Sequence, residues 1–169
     1  FCNSPSQNRL YAASTNENFF RKKNFDYVRK ELAYYRDVVK AEFLYFWADT
    51  FFAYSSREFD EFIELYSEFK IPFWCQTRPE TINEYKIKRL KDVGLFKFGV
   101  GIEHGNPIFR KATVNRAVTN ETIVNSLKWP KQEGVLFGVN NIVGFPGETK
   151  KLAIDTVRIN RLISADTVN

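Results

Sequence analysis

Apolar residues follow two patterns in turn along the chain, one typical of helices and one typical of strands. Apolar residues recur every three to four positions between residues 24 and 39, which predicts an amphipathic helix. The compact apolar run at 42–47 that follows is typical of a buried strand. Predicted strands and helices continue to alternate to the end of the chain. Further strands are predicted at 71–77, 96–102 and 135–143, and further helices after residue 55, after residue 81, at 119–133 and from 148 to about 163.

Local signals set the predicted helix ends. Ser55 and Thr81 are each followed by a glutamate three residues later, a pattern that predicts two capping boxes. Gly94 predicts the end of the helix that Thr81 would open. Pro130 lies inside the helix predicted at 119–133 and should kink it or end it early, because proline lacks the N–H that a helix needs.

Strands that alternate with helices predict parallel βαβ units, and the continuous apolar strands indicate a sheet covered by helices. We therefore expect an α/β fold, a partial (β/α) barrel with parallel strands and outer helices, forming one domain over residues 1–169. Four strands are predicted, and the helix before the first of them indicates another strand upstream. The chain contains no methionine and ends on a polar segment, so we expect a fragment of a larger protein.

The composition bears on which partners and which cellular compartment we expect for this protein. The 169 residues carry a net charge of +5, but 25 basic residues are scattered among 20 acidic ones, which favours solvated helix faces over a nucleic-acid patch. No apolar run is long enough to span a membrane, and no signal-peptide pattern opens the chain. The two cysteines do not make a disulfide framework. These features favour a reduced, cytoplasmic setting without membrane contact.

Polar and glycine residues follow the predicted strands, at the ends where parallel α/β folds place their functional groups. Each predicted strand has one such segment, and these are Ala48-Asp49-Thr50, Thr77-Arg78, Glu103-His104-Gly105 and Gly144-Phe145-Pro146-Gly147-Glu148-Thr149. Carboxylates, a cation and a glycine-rich turn would therefore surround one open end of the predicted barrel, here called the mouth. This pattern predicts a ligand site. The glycine-rich turn before a helix is also typical of an anion-binding nest.

Four motifs in order resemble the radical S-adenosylmethionine (radical SAM) superfamily. They are Phe1-Cys2-Asn3, Phe46-Trp47-Ala48-Asp49-Thr50-Phe51, Gly101-Ile102-Glu103-His104-Gly105 and Gly144-Phe145-Pro146-Gly147-Glu148-Thr149. Each motif is weak alone, but their order and spacing are specific, and they cover nearly the whole chain. The chain is most similar to the branch that often carries an upstream cobalamin-binding domain. The four predicted strands would then be the second to fifth of the family's six.

The resemblance implies a 4Fe–4S cluster and S-adenosylmethionine (SAM) as cofactors. Cys2 matches the last cysteine of the family's cluster loop, in which three thiolates hold the cluster. The other two cysteines of that loop are absent here, so we expect this chain by itself to be inactive. Cys75 lies inside a predicted strand and is interpreted as a small core residue. Cobalamin is implied only through a domain that these residues do not contain.

The resemblance also implies roles for residues at the mouth. Asp49 stands where the family grips the SAM amino group, with the capping of a turn as its alternative role, and Glu103 stands where a polar side chain meets the ribose or amino group. Backbone groups near Ile142, Val143 and Gly144 would pair with the adenine. Among three candidate arginines for the SAM carboxylate, Arg110 is preferred over the two others, Arg78 and Arg116. The only histidine, His104, is interpreted as a loop residue rather than a general base.

The function implied is that of an enzyme fragment that uses SAM and a 4Fe–4S cluster to generate a 5′-deoxyadenosyl radical or to transfer a methyl group. A reductant such as ferredoxin or flavodoxin would be its partner, and its substrate stays open. A phosphate-binding (β/α) barrel lyase or isomerase is the alternative, with the glycine-rich turn holding phosphate. A noncatalytic RNA-binding domain would need aromatic residues on a solvent face, whereas most aromatic residues here occupy predicted inward positions.

Overall fold

The computed structural model describes residues 3–15, 17, 19, 21–48 and 50–169. The helices are α1 (Ser4–Thr15), α2 (Phe25–Tyr34), α3 (Ser56–Tyr66), α4 (Glu84–Val93), α5 (Pro107–Val114), α6 (Asn120–Ser126), α7 (Lys128–Glu133) and α8 (Lys150–Ile163). The strands are β1 (Leu44–Tyr45), β2 (Phe73–Thr77), β3 (Leu95–Glu103), β4 (Leu136–Asn141) and β5 (Thr167–Val168). Short helical turns at Phe51–Ala53 and Pro79–Thr81 follow β1 and β2, and a π-helical turn at Tyr35–Val39 extends α2.

The five strands form one sheet in the order β1-β2-β3-β4-β5, and every neighbouring pair is parallel. The predicted α/β architecture of parallel strands and outer helices is therefore confirmed. All carboxyl ends meet at one edge because all strands run the same way. The sheet has one more strand than predicted, since β5 pairs with β4 through Gly138 and Val139. This strand has only two residues, too few for a period to show in the sequence.

Aromatic side chains fill the space between the sheet and the helices. Phe62 of α3 lies at the centre of this core, with ring centroids 5.1 Å from Phe51, 5.3 Å from Tyr66 and 5.9 Å from Phe46. Phe62 is almost fully buried. Its burial agrees with the helix predicted after residue 55. The predicted capping box at Ser55 is present, with both reciprocal hydrogen bonds formed.

One capping prediction is wrong, and two helices were missed. The capping box at Thr81 is wrong: α4 is capped by Asn83, which accepts a hydrogen bond from Lys86 N, while Thr81 closes the preceding turn. Helix α1 was missed because none of its residues is buried, so no apolar period marks it. Helix α5 was missed as well, although Asn106 followed by proline is a helix-start signal. The break near Pro130 is confirmed, since Leu127 separates α6 from α7.

Candidate functional site

The carboxyl ends of β3 and β4 form the centre of the candidate site. Glu103 ends β3 and is aligned with Asn141 of β4. Its carbonyl oxygen accepts a hydrogen bond of 2.7 Å from the N–H of Ile142. The backbone of Glu103 is left-handed, with φ of +69°. A non-glycine residue in this region is strained, and such strain is concentrated at functional sites.

The Glu103 side chain is paired with an arginine. Arg116 donates from Nη1 to Glu103 Oε1 at 3.0 Å and to the carbonyl oxygen of Gly101 at 3.1 Å. Its Nη2 reaches the carboxylate of Glu80 at 3.2 Å. The side chains of Glu103 and Arg116 are 14% and 12% exposed, so both reach solvent from a largely buried position. A cation and two carboxylates therefore lie together at the edge of the sheet.

The segment after β4 is fixed by Glu148. One oxygen of its carboxylate, Oε2, accepts hydrogen bonds from the N–H groups of Gly144 and Phe145. The other, Oε1, lies 3.1 Å from Nε2 of His104. The backbone N–H of Asn106 donates to His104 Nδ1, so the hydrogen-bond network assigns the ring proton to Nε2, which donates to Glu148. A single carboxylate thus links the ends of β3 and β4.

The sequence pattern predicted that the last helix begins at Glu148. In the structure α8 begins at Lys150 with Thr149 as its cap, and Glu148 folds back over the preceding turn. Burial raises the pKa of the Glu148 carboxyl, but the hydrogen bonds from Gly144, Phe145 and His104 outweigh burial and hold its pKa below the ordinary value.

We expect Glu148→Gln to lower the free energy of unfolding by about 1.5–3 kcal/mol at pH 7, because a charge-assisted buried hydrogen-bond set is weakened. The depressed pKa of Glu148 means that its stabilisation is complete above its unfolded pKa, roughly 4.3, and is lost as the pH falls through the folded pKa. The difference between wild type and variant should therefore shrink below about pH 4. Urea unfolding at several pH values measures this.

A control for that prediction is Glu121→Gln, since Glu121 is exposed on α6. It should change stability by less than about 0.5 kcal/mol. An equal loss in both variants, or a Glu148→Gln loss that is independent of pH, would contradict the role assigned to the Glu148 carboxylate.

The contacts of Glu148 also correct the interpretation of the glycine-rich turn as an anion nest. The N–H groups of Gly144 and Phe145, which a phosphate would need, already bind the carboxylate. A second negative charge there would be repelled. The alternative of a phosphate-binding barrel enzyme loses the site on which it depended.

Arg110 does not lie at the mouth, contrary to its predicted position. The side chain is fully buried behind β3. Its guanidinium donates to the carbonyl oxygens of His104 and Val118 and to Oδ1 of Asn120. Burial lowers the pKa of Arg110, and the charge of Arg116 lowers it further. Arg110 therefore supports the loop after β3, whereas Arg116, six residues later, pairs with Glu103.

Gly105 is required for a reason that the sequence did not show. The left-handed residue at this turn is Glu103, not Gly105. A Cβ on Gly105 would lie 2.1 Å from the carbonyl oxygen of Asp155, so helix α8 packs directly against its backbone. The N–H of Gly105 donates to Oγ1 of Thr156 at 2.9 Å. This contact fixes α8 against the end of β3.

The predicted site residues are not all placed by the structure. Glu103, Ile142, Val143 and Gly144 lie together at the carboxyl edge of the sheet, as expected for one mouth. Cys2 and Asp49 lie outside the described residues. Cys75 is buried in β2, and burial raises the pKa of its thiol. Over residues 3–15, 17, 19, 21–48 and 50–169, no group of three or more His, Cys, Asp or Glu residues could hold a metal ion.

A family model matches most of this chain. The model describes the radical SAM superfamily, and the match extends over residues 1–158. The chain belongs to the radical SAM superfamily. The resemblance that the four motifs carried is thereby confirmed. No curated protein matches the chain in sequence. Within the described ranges, no helix is long and apolar enough to cross a membrane.

Solved radical SAM structures share the fold. Two are of the radical SAM methyltransferase TsrM from Kitasatospora setae. One contains tryptophan substrate and a SAM analog (TM-score 0.76, 15% identity, 88% of this chain and 30% of that chain). The other contains cobalamin and a [4Fe-4S] cluster (0.71, 16%, 87% and 30%). Coproporphyrinogen III oxidase (HemN) from Escherichia coli is a third (0.68, 18%, 85% and 36%). The chain spans about a third of the length of these proteins.

The radical SAM chain has unused polar groups where the family implies SAM. The N–H of Val143 and the carbonyl oxygens of Ile142 and Val143 form no hydrogen bonds with other described residues. Val143 is exposed beside them. Unpaired backbone donors and acceptors at a strand end can pair with the edge of a purine. The adjacent charges of Glu103 and Arg116 suit an amino-acid group, so the residues present fit SAM.

Proposed function

We propose that this chain is the part of a radical SAM enzyme that binds SAM at the carboxyl edge of its sheet and holds a 4Fe–4S cluster with Cys2 as one ligand. When bound, the two cofactors supply a 5′-deoxyadenosyl radical or a methyl group for transfer to substrate. The observation that carries the proposal is the pair of Glu103 and Arg116 beside the unused backbone groups of Ile142 and Val143.

The charges at this edge match the two ends of the methionine group. Arg116 can donate to its carboxylate, and Glu103 can accept from its ammonium or from the ribose hydroxyls. Glu80 also pairs with Arg116, so the guanidinium stays in place when Glu103 changes its partner. Arg116 replaces Arg110 as the proposed carboxylate ligand because Arg116 reaches the edge and Arg110 is fully buried. Asp49 stays a proposed contact of the amino group on the family resemblance alone.

The chain's own residues have the task of orienting SAM. The Glu148 carboxylate and the His104 ring hold the segment after β4, so the backbone groups of Ile142 and Val143 stay aligned with Glu103. A preformed site loses less conformational entropy on binding. A one-electron reductant such as ferredoxin or flavodoxin is the proposed partner. The methyl-transfer alternative implies cobalamin held by a further domain.

Glu103→Gln tests the proposal. In the protein that carries the complete cysteine motif and its cluster, we expect the variant to bind SAM about 10- to 100-fold more weakly, because a charge-assisted contact is worth roughly 1.5–3 kcal/mol. Glu103→Asp should cost nearly as much, since its shorter side chain does not reach the ligand. Arg116→Gln should weaken SAM binding to a similar extent. Calorimetric titration with SAM gives the affinities.

A matched control is Glu133→Gln on α7, whose carboxylate pairs with Lys91 on the outer surface. It should bind SAM as the wild type does. Unchanged SAM affinity in both Glu103→Gln and Arg116→Gln would refute the assigned site, provided that the cluster content of the variants equals that of the wild type.

A further inference from the structure

Helix α2 carries apolar side chains on two sides. On the side towards the core, Leu32 is buried and the Phe25 ring lies 6.5 Å from that of Phe62 in α3. The exposed side of α2 and of the π-helical turn that follows it carries five large apolar residues. These residues, which we call the outer stripe, are Tyr27, Tyr34, Tyr35, Val38 and Val39. Each of them is between 41% and 65% exposed. Core packing therefore accounts for only one of the two sides.

The outer stripe is contiguous. Tyr27, Tyr34 and Val38 are seven and four residues apart, which is the spacing of one helix face. The ring centroids of Tyr34 and Tyr35 lie 6.0 Å apart in an edge-to-face arrangement. Apolar side chains that are exposed singly are normal on a protein surface, whereas a contiguous apolar patch marks a binding surface. The outer stripe therefore has the character of an interface.

The π-helical turn exposes the far end of the outer stripe. Tyr35 and Val39 continue the three- and four-residue spacing of Val28 and Leu32, so an uninterrupted α-helix would direct them towards the core. The π-helical turn at these positions changes that direction, and both side chains are exposed. Such turns are rare, and they are frequent at functional sites. Two apolar residues that the local backbone turns outwards favour a binding role for this side of α2.

The charges along α2 complement those of a second copy of the chain. Lys30 and Glu31 lie before the midpoint of residues 30–37 at the same distances along the chain at which Asp37 and Arg36 lie after it. In two copies of α2 that pack antiparallel about this midpoint, Lys30 would lie opposite Asp37 of the other copy, and Glu31 opposite Arg36. Opposite charges would thus face each other in all four places. A contact between identical surfaces requires such self-complementarity.

The present partners of these charges leave them available for such a contact. Glu31 pairs with Lys23, and Arg36 pairs with its neighbour Asp37. Between 32% and 59% of each of these side chains is exposed, and Lys30 is exposed as well. Exposed ion pairs contribute little to stability. They can therefore be exchanged at low cost for pairs that a dimer shields from solvent.

We propose that the chain forms a dimer in which the outer stripes of two copies pack antiparallel about a two-fold axis. The apolar side chains of the stripe form the centre of the interface, and the pairs of Lys30 with Asp37 and of Glu31 with Arg36 form its border. A contact between two single helices is small for a protein interface, so the dimer is weak and reversible. None of these residues belongs to the proposed SAM site, so the inference is independent of the proposed function.

The test is sedimentation equilibrium of the protein that carries the complete cysteine motif. We expect a reversible equilibrium between monomer and dimer. Lys30→Glu and Asp37→Lys should each raise the dissociation constant of the dimer at least about tenfold, because each variant places like charges opposite each other at two positions. An equimolar mixture of the two variants should regain the affinity of the wild type, since both contacts between the two different chains again join opposite charges.

Tyr34→Ser should weaken the dimer to a similar extent, and its circular dichroism should equal that of the wild type because Tyr34 is exposed. Lys128→Glu, the same charge reversal at an exposed position of α7, is the matched control and should leave the dissociation constant unchanged. A wild-type protein that stays monomeric at every concentration would overturn the inference and assign the outer stripe to a different partner. A dimer that tolerates Tyr34→Ser, or a mixture of the two charge variants that stays monomeric, would overturn it as well.

Discussion

Arg110→Ala should lower the free energy of unfolding by about 3–5 kcal/mol. The guanidinium is fully buried and donates to the carbonyl oxygens of His104 and Val118 and to Asn120 Oδ1. Removing it leaves these acceptors without a donor, at roughly 1–3 kcal/mol for each one that stays buried, and it leaves a cavity as well. The desolvated charge that is lost offsets part of this cost. Denaturant unfolding monitored by circular dichroism gives the value.

Two companion variants separate the causes. Arg110→Met keeps most of the side-chain volume and should lose less, about 1–3 kcal/mol, which isolates the hydrogen bonds from the cavity. Arg158→Ala removes an arginine that is 69% exposed and pairs with Asp155, and it should cost less than about 1 kcal/mol. If Arg110→Ala were as mild as Arg158→Ala, the support of the loop after β3 by Arg110 would be refuted.

Cys2→Ala should abolish the 4Fe–4S cluster in a protein that carries the complete cysteine motif, because two thiolates cannot replace three. Cys75→Ala should leave the cluster nearly intact. Cys75 lies in the middle of β2, fully buried, and burial raises the pKa of its thiol, so the thiolate form that a metal needs is disfavoured. Iron content and electron paramagnetic resonance after anaerobic reconstitution measure both variants.

The two cysteine variants also control for each other. Each removes one thiol, so a difference between them reflects the place of the cysteine and not the number of thiols. Full iron content in Cys2→Ala would contradict the ligand assignment. Loss of the cluster in Cys75→Ala, with an unfolding transition equal to that of the wild type, would show that the buried thiol is a ligand after all.

Sequence reasoning predicted which edge of the sheet carries the proposed site, but not which residues pair with one another there. Glu103 was predicted from its position after a strand, whereas the segment from Ile142 to Gly144 was predicted from the family resemblance. Parallel strands bring the ends of both segments to the same edge of the sheet. The sequence did not determine which of Arg110 and Arg116 meets Glu103. Both follow Glu103 closely in the chain, and only the packing of α5 decides which of them is buried and which meets Glu103.

Glu148 is another residue whose contacts could not be predicted from the sequence. In the sequence it is an acidic residue before a helix, a common and sufficient explanation. The structure brings its carboxylate to His104, 44 residues away, and to the N–H groups of Gly144 and Phe145. A contact of such sequence separation leaves no periodic signal. The turn therefore resembles an anion site in sequence while its donors are already occupied.

The sequence by itself determined the family, the parallel strand-and-helix order and the aromatic core, because hydrophobic period and motif spacing are local properties of the chain. The tertiary structure alone decided three further things: the burial of Arg110, the pairing of Arg116 with Glu103, and the contact of Glu148 with His104. Each of these depends on how the strands and helices pack against one another. Such relations are fixed only when the strands have paired and the helices have docked.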